Sequence, residues 1–284
     1  MMPTARCHRN FYSGRALLGV TLVAALLAAC AAPRSPVMSS DSIAAIVTSP
    51  ERSAADRNND IRRKPADMLA FIGVRPGMVA LDLSAGGGYT TELLARAAGP
   101  TGRVYGQNMP RDAANPPRRA AVPEGEAAPV LPASAAPQAR RSISDRAREL
   151  TTGHIIPVTR KFEDPVPPEV AAAGLDLATL MFNYHDLAVW GVNRDQMNRA
   201  VFNALKHGGI YVIADHAGRP GTGISEAGTL HRMEDAFLKS EVESAGFRVA
   251  DEGQFLRNPN DPRDKNTPEP PQPKDEFVIK FVKP

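Results

Sequence analysis

The chain has 284 residues, with 34 Lys and Arg against 31 Asp and Glu, 43% hydrophobic residues and two cysteines, Cys7 and Cys30. Near-balanced charge gives no reason to expect nucleic acid or another polyanion as a partner. Cysteines confined to the first 30 residues leave the rest without a disulfide, a catalytic thiol or a cysteine zinc site, so the fold must rest on its core.

Arg6, Arg9 and Arg15 precede an apolar run from Ala16 to Ala29. That run is shorter than the roughly 20 residues of a membrane span, and small residues close it. Residues 1–29 read as a signal peptide. The closing Leu27-Ala28-Ala29-Cys30 resembles a bacterial lipobox. The resemblance implies lipidation of Cys30, a membrane partner through that lipid, and an exported protein facing the periplasm or another compartment of the bacterial cell envelope. A secreted protein cut nearby and a tilted membrane anchor are the alternatives. Residues 30–40, with Pro33 and Pro36, read as a tether, and 41–284 as the domain it carries.

From Asp41 the sequence turns helical, with Ile43, Ile46 and Val47 on one face, and Pro65 to Ile72 is a second helix with proline in its first turn and Gly73 as its stop. Arg57, Asp60, Arg62, Arg63 and Lys64 between them read as a solvated charged surface, with a role in covering the ligand as the alternative. Pro76-Gly77 turns the chain into Val79-Ala80-Leu81-Asp82-Leu83, a short buried strand. Ser84 to Gly88 then form a glycine loop, and Thr90 to Ala98 open directly into a helix. A strand end, a loop poor in Cβ atoms and a helix start make a cradle for a polar ligand. Thr91 stands where a dinucleotide fingerprint needs its last glycine, and no Gly-Lys-Ser/Thr follows, which excludes a P-loop.

This stretch resembles motif I, D-x-G-x-G-x-G, of the class I S-adenosylmethionine-dependent methyltransferases. Asp82, Gly86 and Gly88 match, and Ser84 replaces the first glycine. The resemblance implies S-adenosylmethionine as cofactor, held by Asp82, Ser84, Gly86 and Gly88. Arg103 to Asn108 is the next strand, and Asn108 stands where the family carries the acidic ribose ligand. Met109 to Arg141 is Pro- and Ala-rich with almost no large apolar residue, and reads as a disordered insert.

Ser142 to Leu150 reads as a helix and His154 to Thr159 as a strand whose Pro157 points to a sheet edge. Glu163 follows at the place of the family's contact to adenine. Leu175 to Phe182 is continuously apolar apart from Asp176 and Thr179, as a central parallel strand should be, and ends in Asn183-Tyr184-His185-Asp186. That set departs from the N/D-P-P-Y/F motif of nitrogen-methylating enzymes. A helix over Arg194 to Leu205 leads to Leu205-Lys206-His207-Gly208-Gly209, which resembles the family's Leu-Lys-Pro-Gly-Gly turn before the strand Ile210 to Asp215. Leu230, Met233 and Phe237 mark a helix that stops at Gly246, and Phe247 and then Phe277, Ile279 and Phe281 mark two last strands. The expected fold is α/β, Rossmann-like, a seven-stranded sheet of order 3-2-1-4-5-7-6 with an N-terminal helical extension.

Ligands of an open parallel sheet sit beyond the carboxyl ends of its strands. There the resemblance implies methyl transfer to a small-molecule acceptor, with Asn183 beside the cofactor. His185 is the expected general base, with Asp186 its partner. Two other classes stay open: a cofactor-fold binding module without catalysis, and a metal-dependent hydrolase using His185, Asp186, Asp215, His216 and His231, whose spacing follows no known ligand pattern. Oligomeric state is not legible.

Overall fold

The computed structural model describes residues 35–110, 141–268 and 270–284. The expected signal peptide, Cys30 and all but the outermost residues of the expected insert lie outside them. Among the described residues no helix is long and apolar enough to cross a membrane.

Three helices precede the sheet: α1 (Ser40–Val47), α2 (Ala54–Arg63) and α3 (Pro65–Ile72). Ser39 and Ser53 cap the first two by accepting from Ser42 N and Asp56 N, and the positive φ of Gly73 ends the third. Within the stretch expected as a tether, Met38 donates from its backbone to Val74 O (3.0 Å), so residue 38 is already joined to the domain. The charged stretch 57–64 is mostly helical; Asp60, Arg62 and Arg63 are half-buried, while Arg57 and Lys64 are exposed as expected.

The body then alternates: β1 (Val79–Leu83), α4 (Tyr89–Ala98), β2 (Arg103–Asn108), α5 (Ile143–Glu149), β3 (Ile155–Thr159), α6 (Pro168–Ala173), β4 (Leu175–Met181), α7 (Tyr184–Val189), α8 (Arg194–Ala204) and β5 (Leu205–His216). It closes with α9 (Ala227–Leu230), α10 (Asp235–Ser244), β6 (Arg248–Gly253) and β7 (Glu276–Val282). The sheet runs β3-β2-β1-β4-β5-β7-β6, parallel through β5 and antiparallel at β7, as expected. Pro157 lies on the edge strand β3, opposite Gly106.

Alternate residues of each strand feed two cores. Leu81 and Leu83 pack with Tyr184, Met197 and Phe281 on one face, while Ala80 packs with Leu69, Leu94 and Ile143 on the other. Gly106 is required by this second layer, since a Cβ there would lie 2.1 Å from Ile143 Cδ1.

Three local expectations change. The Lys-His-Gly-Gly segment does not stand apart as a turn. It is the start of β5, with a pairing irregularity between Leu175 and Leu177 and Gly208 at φ 70°. The helix expected from Leu230 breaks instead: His231 takes φ 51°, Met233 bridges to Ala217, and α10 begins only at Asp235. The helices α2 and α6 were not anticipated.

Candidate functional site

The parallel order reverses between β1 and β4, so the cleft beyond their carboxyl ends is the topological switch point where such sheets bind ligands. Both strand exits are strained. Ser84 after β1 and Phe182 after β4 have φ of 54° and 60°, a left-handed backbone that costs a non-glycine residue about 1–2 kcal/mol.

On the β1 side, Ser84 holds its conformation by donating its N–H to Gln107 Oε1 (3.1 Å) and its hydroxyl to Asn183 Oδ1. Gly86 donates to Asn108 Oδ1 (2.8 Å), and Asn108 Nδ2 donates back to Gly86 O (3.1 Å). Gly86 is exposed at φ 55°, with no atom closer than 4.0 Å to a Cβ built on it. A ligand can therefore approach its main chain. Ser84, Gly86, Asn108 and Asn183 are thus brought together.

Asp82, Gly88 and Glu163 are placed elsewhere. Asp82 faces α4, where it accepts from Thr91 Oγ1 (2.6 Å) and Thr179 Oγ1 (2.8 Å) and ties β1, β4 and α4 together. Burial pushes its carboxyl up to about 6, against the two hydroxyls that favour the charged form. Gly88 lies under α5, where a Cβ would meet Arg146 Cδ at 3.0 Å. Arg146 bonds Gly87 O (2.6 Å) and pairs with Asp56 and Glu92, so α5 braces the loop from behind. Glu163 accepts from Asn193 N (3.0 Å) at the start of α8, which commits one of its oxygens to structure.

On the β4–β5 side, α7 lifts His185 and Asp186 to the cleft. Asp215 at the end of β5 accepts from His185 twice, from its backbone N (2.8 Å) and from Nδ1 (2.7 Å). His185 Nε2 lies 3.3 Å from Asp186 Oδ1. Burial opposes charge on this imidazole, but Asp215 and Asp186 prevail and raise it to about 10. The two carboxylates thus favour the charged imidazole, a form that does not act as a base, which opposes the expected general-base role. Asp186 also receives Asn183 Nδ2 (2.7 Å) and lies 3.3 Å from His231 Nδ1. Burial works to raise its carboxyl, but the two histidines hold it below the usual range. His216, whose ring centroid is 5.5 Å from that of His185, is pushed well below the usual histidine range by burial and stays neutral.

Charged residues of α2 close the rim. Arg62 and Arg63 lie over the Phe182 ring (4.8 and 4.7 Å to its centroid), and Arg62 pairs with Glu276 (2.7 Å). Tyr89 donates to Asp60 Oδ1 (2.5 Å), which Arg52 also holds. These are the charges expected on a solvated surface. The missed signal was Arg52 and Tyr89, eight residues before and 29 residues after Asp60. The loop 257–265 is held down by Arg257 and Arg263 on Asp275 and by Arg232 on Asp261. A charged hollow of about 310 Å³ between α4 and α5 is lined by mutually paired Glu92, Arg96 and Arg146, which sets it apart from the cleft.

No protein-family model matches the chain, and no curated protein matches it. Solved structures do. An S-adenosylmethionine-dependent methyltransferase from Aquifex aeolicus superposes with a TM-score of 0.52 at 14% identity, covering 87% of this chain and 100% of that one. A chain of the Haloferax volcanii complex of the Trm112 methyltransferase activator does so at 0.51 and 15%, covering 87% and 99%. Together with the strand order, these similarities show the class I methyltransferase fold.

Proposed function

We propose that this chain binds S-adenosylmethionine at the switch-point cleft and transfers its methyl group to a small-molecule acceptor. The observation that carries the reading is the open main chain of Gly86, clamped on both its polar groups by Asn108 and set beside Ser84 and Asn183. The fit is with the loop rather than with every motif residue. Ser84 to Gly86 and Asn108 would contact the cofactor, while Asp82, Gly88 and Arg146 hold the loop in place. When bound, the cofactor supplies a methyl carbon on a sulfonium centre. The protein's part is to orient the acceptor and exclude water, and the Arg62 and Arg63 rim over Phe182 supports such closure. Asn108 offers the ribose a neutral amide in place of the family's carboxylate, so cofactor binding lacks one charge-assisted bond.

Export by residues 1–29 and lipidation of Cys30 belong to the same proposal and rest on the sequence alone, placing the reaction in the bacterial envelope. Intact mass of the processed protein tests them: an unmodified terminus elsewhere removes the anchor. For the cleft, calorimetry of the full chain against S-adenosylmethionine and S-adenosylhomocysteine should show binding that Gly86→Val abolishes. No heat at millimolar ligand would sink the reading. Binding without turnover of any acceptor would leave the binding-module class.

A further inference from the structure

His185, Asp186 and His231 converge in a geometry that the methyl-transfer reading does not use. One ligand atom from each of His185, Asp186 and His231 lies within 4.8 Å of the other two. Two of the separations, Asp186 to each histidine, are 3.3 Å. That is long for a charge-assisted hydrogen bond, which runs about 2.7–2.9 Å. It equals the edge of a tetrahedron whose corners are about 2.05 Å from a central ion, the usual reach of imidazole and carboxylate to zinc, an edge of about 3.3 Å.

The surroundings complete the pattern. Asp215 takes the Nδ1 proton of His185 and its backbone N–H, which fixes the ring with Nε2 toward Asp186, as a carboxylate behind a metal-binding histidine does. Asn183 occupies Asp186 Oδ2 and leaves Oδ1 to the histidines. His231 reaches the group only because it leaves the helical path at φ 51°, a strained conformation that helix continuation would have avoided.

We propose that His185, Asp186 and His231 form a site for a first-row divalent ion of the imidazole-preferring class, zinc or iron(II), oriented by Asp215. Two imidazoles and one carboxylate are too nitrogen-rich for magnesium or calcium. Three protein ligands leave at least one position open, and the chain Asp186–Asn183–Ser84 puts that position two hydrogen bonds from the glycine loop.

The full chain carrying Cys7→Ser and Cys30→Ser, so that no thiol competes, is titrated with cobalt(II) and zinc after treatment with a chelator. One equivalent of cobalt(II) should bind with visible ligand-field bands, and zinc should displace it. Asp186→Asn and His231→Asn should weaken binding at least 100-fold, and Asp215→Asn about 10- to 100-fold, the usual cost of losing an outer partner. Asparagine tolerates the left-handed backbone of position 231, so that variant keeps the fold, and His154→Asn should leave affinity unchanged. Absence of bands and heat at millimolar metal, or unchanged affinity in folded His231→Asn, overturns the site. Cofactor calorimetry repeated with chelator separates the two ideas: cofactor binding without any metal binding removes the ion alone, and metal binding without cofactor binding removes the methyl-transfer reading alone.

Discussion

The two walls of the cleft are built in opposite ways. The β1–β2 wall is local and nearly neutral: Ser84, Gly86 and Asn108 lie within 25 residues, and its hydrogen bonds join backbone to side-chain amides in a partly exposed loop. The β4–β5 wall is assembled from Asn183 to Asp186, Asp215 and His231, and it is a buried charge cluster. A neutral, exposed wall can adapt to a ligand at small cost. A buried charged wall is held in one geometry, because any unpaired member carries a desolvation penalty of several kcal/mol.

The comparison breaks if the charged wall proves cheap to dismantle. His185→Ala leaves Asp215 and Asp186 facing each other without their cation and should cost about 3–5 kcal/mol in urea denaturation, the largest effect expected here. The same imidazole sets a pH signature. Its folded pKa of about 10 lies above the ordinary value of 6.5. Its contribution is therefore complete below about 6.5 and is lost as pH rises toward 10. Metal-free protein should lose stability over that window, and His185→Gln should remove the slope.

Asp82 sharpens the contrast from beneath. Its folded pKa of about 6 lies above the ordinary 3.8, so the stability it contributes is present below about 4 and is lost as pH rises through 6. Two units correspond to about 3 kcal/mol as a ceiling. Asp82→Asn keeps an acceptor for one threonine and carries no charge, so it should be more stable than the parent at pH 7 and flatten the profile between pH 4 and 6. Thermal melts across that range check it. On the neutral wall the effects are smaller. Ser84→Gly relieves a left-handed serine but gives up the bond to Asn183, and should change stability by no more than about 1 kcal/mol.

That difference also explains what could be read from the sequence. The strand order was legible because each parallel strand is an apolar run between helices, and the glycine loop because its parts are contiguous. Which way Asp82 points was not: β1 is buried on both faces, so alternation carries no sign of inside or outside. Asn108 was found by its distance from the loop, but its grip on Gly86 depends on both strands being in place. His231 could be named by residue type but not placed, because the helical spacing at Leu230, Met233 and Phe237 is interrupted by a single left-handed residue. The charge on His185 needs Asp215, 30 residues away, and nothing local announces it.

The margins of the sheet have a consequence for how copies of this protein can meet. On one flank β3 carries Pro157, whose ring replaces a backbone donor. On the other, β6 has a pairing irregularity between Val249 and Asp251, followed by Asp251 and Glu252. Neither flank is a clean template for a further strand, and each uses a known device against edge-to-edge growth. At high concentration such molecules would resist polymerising through their sheets.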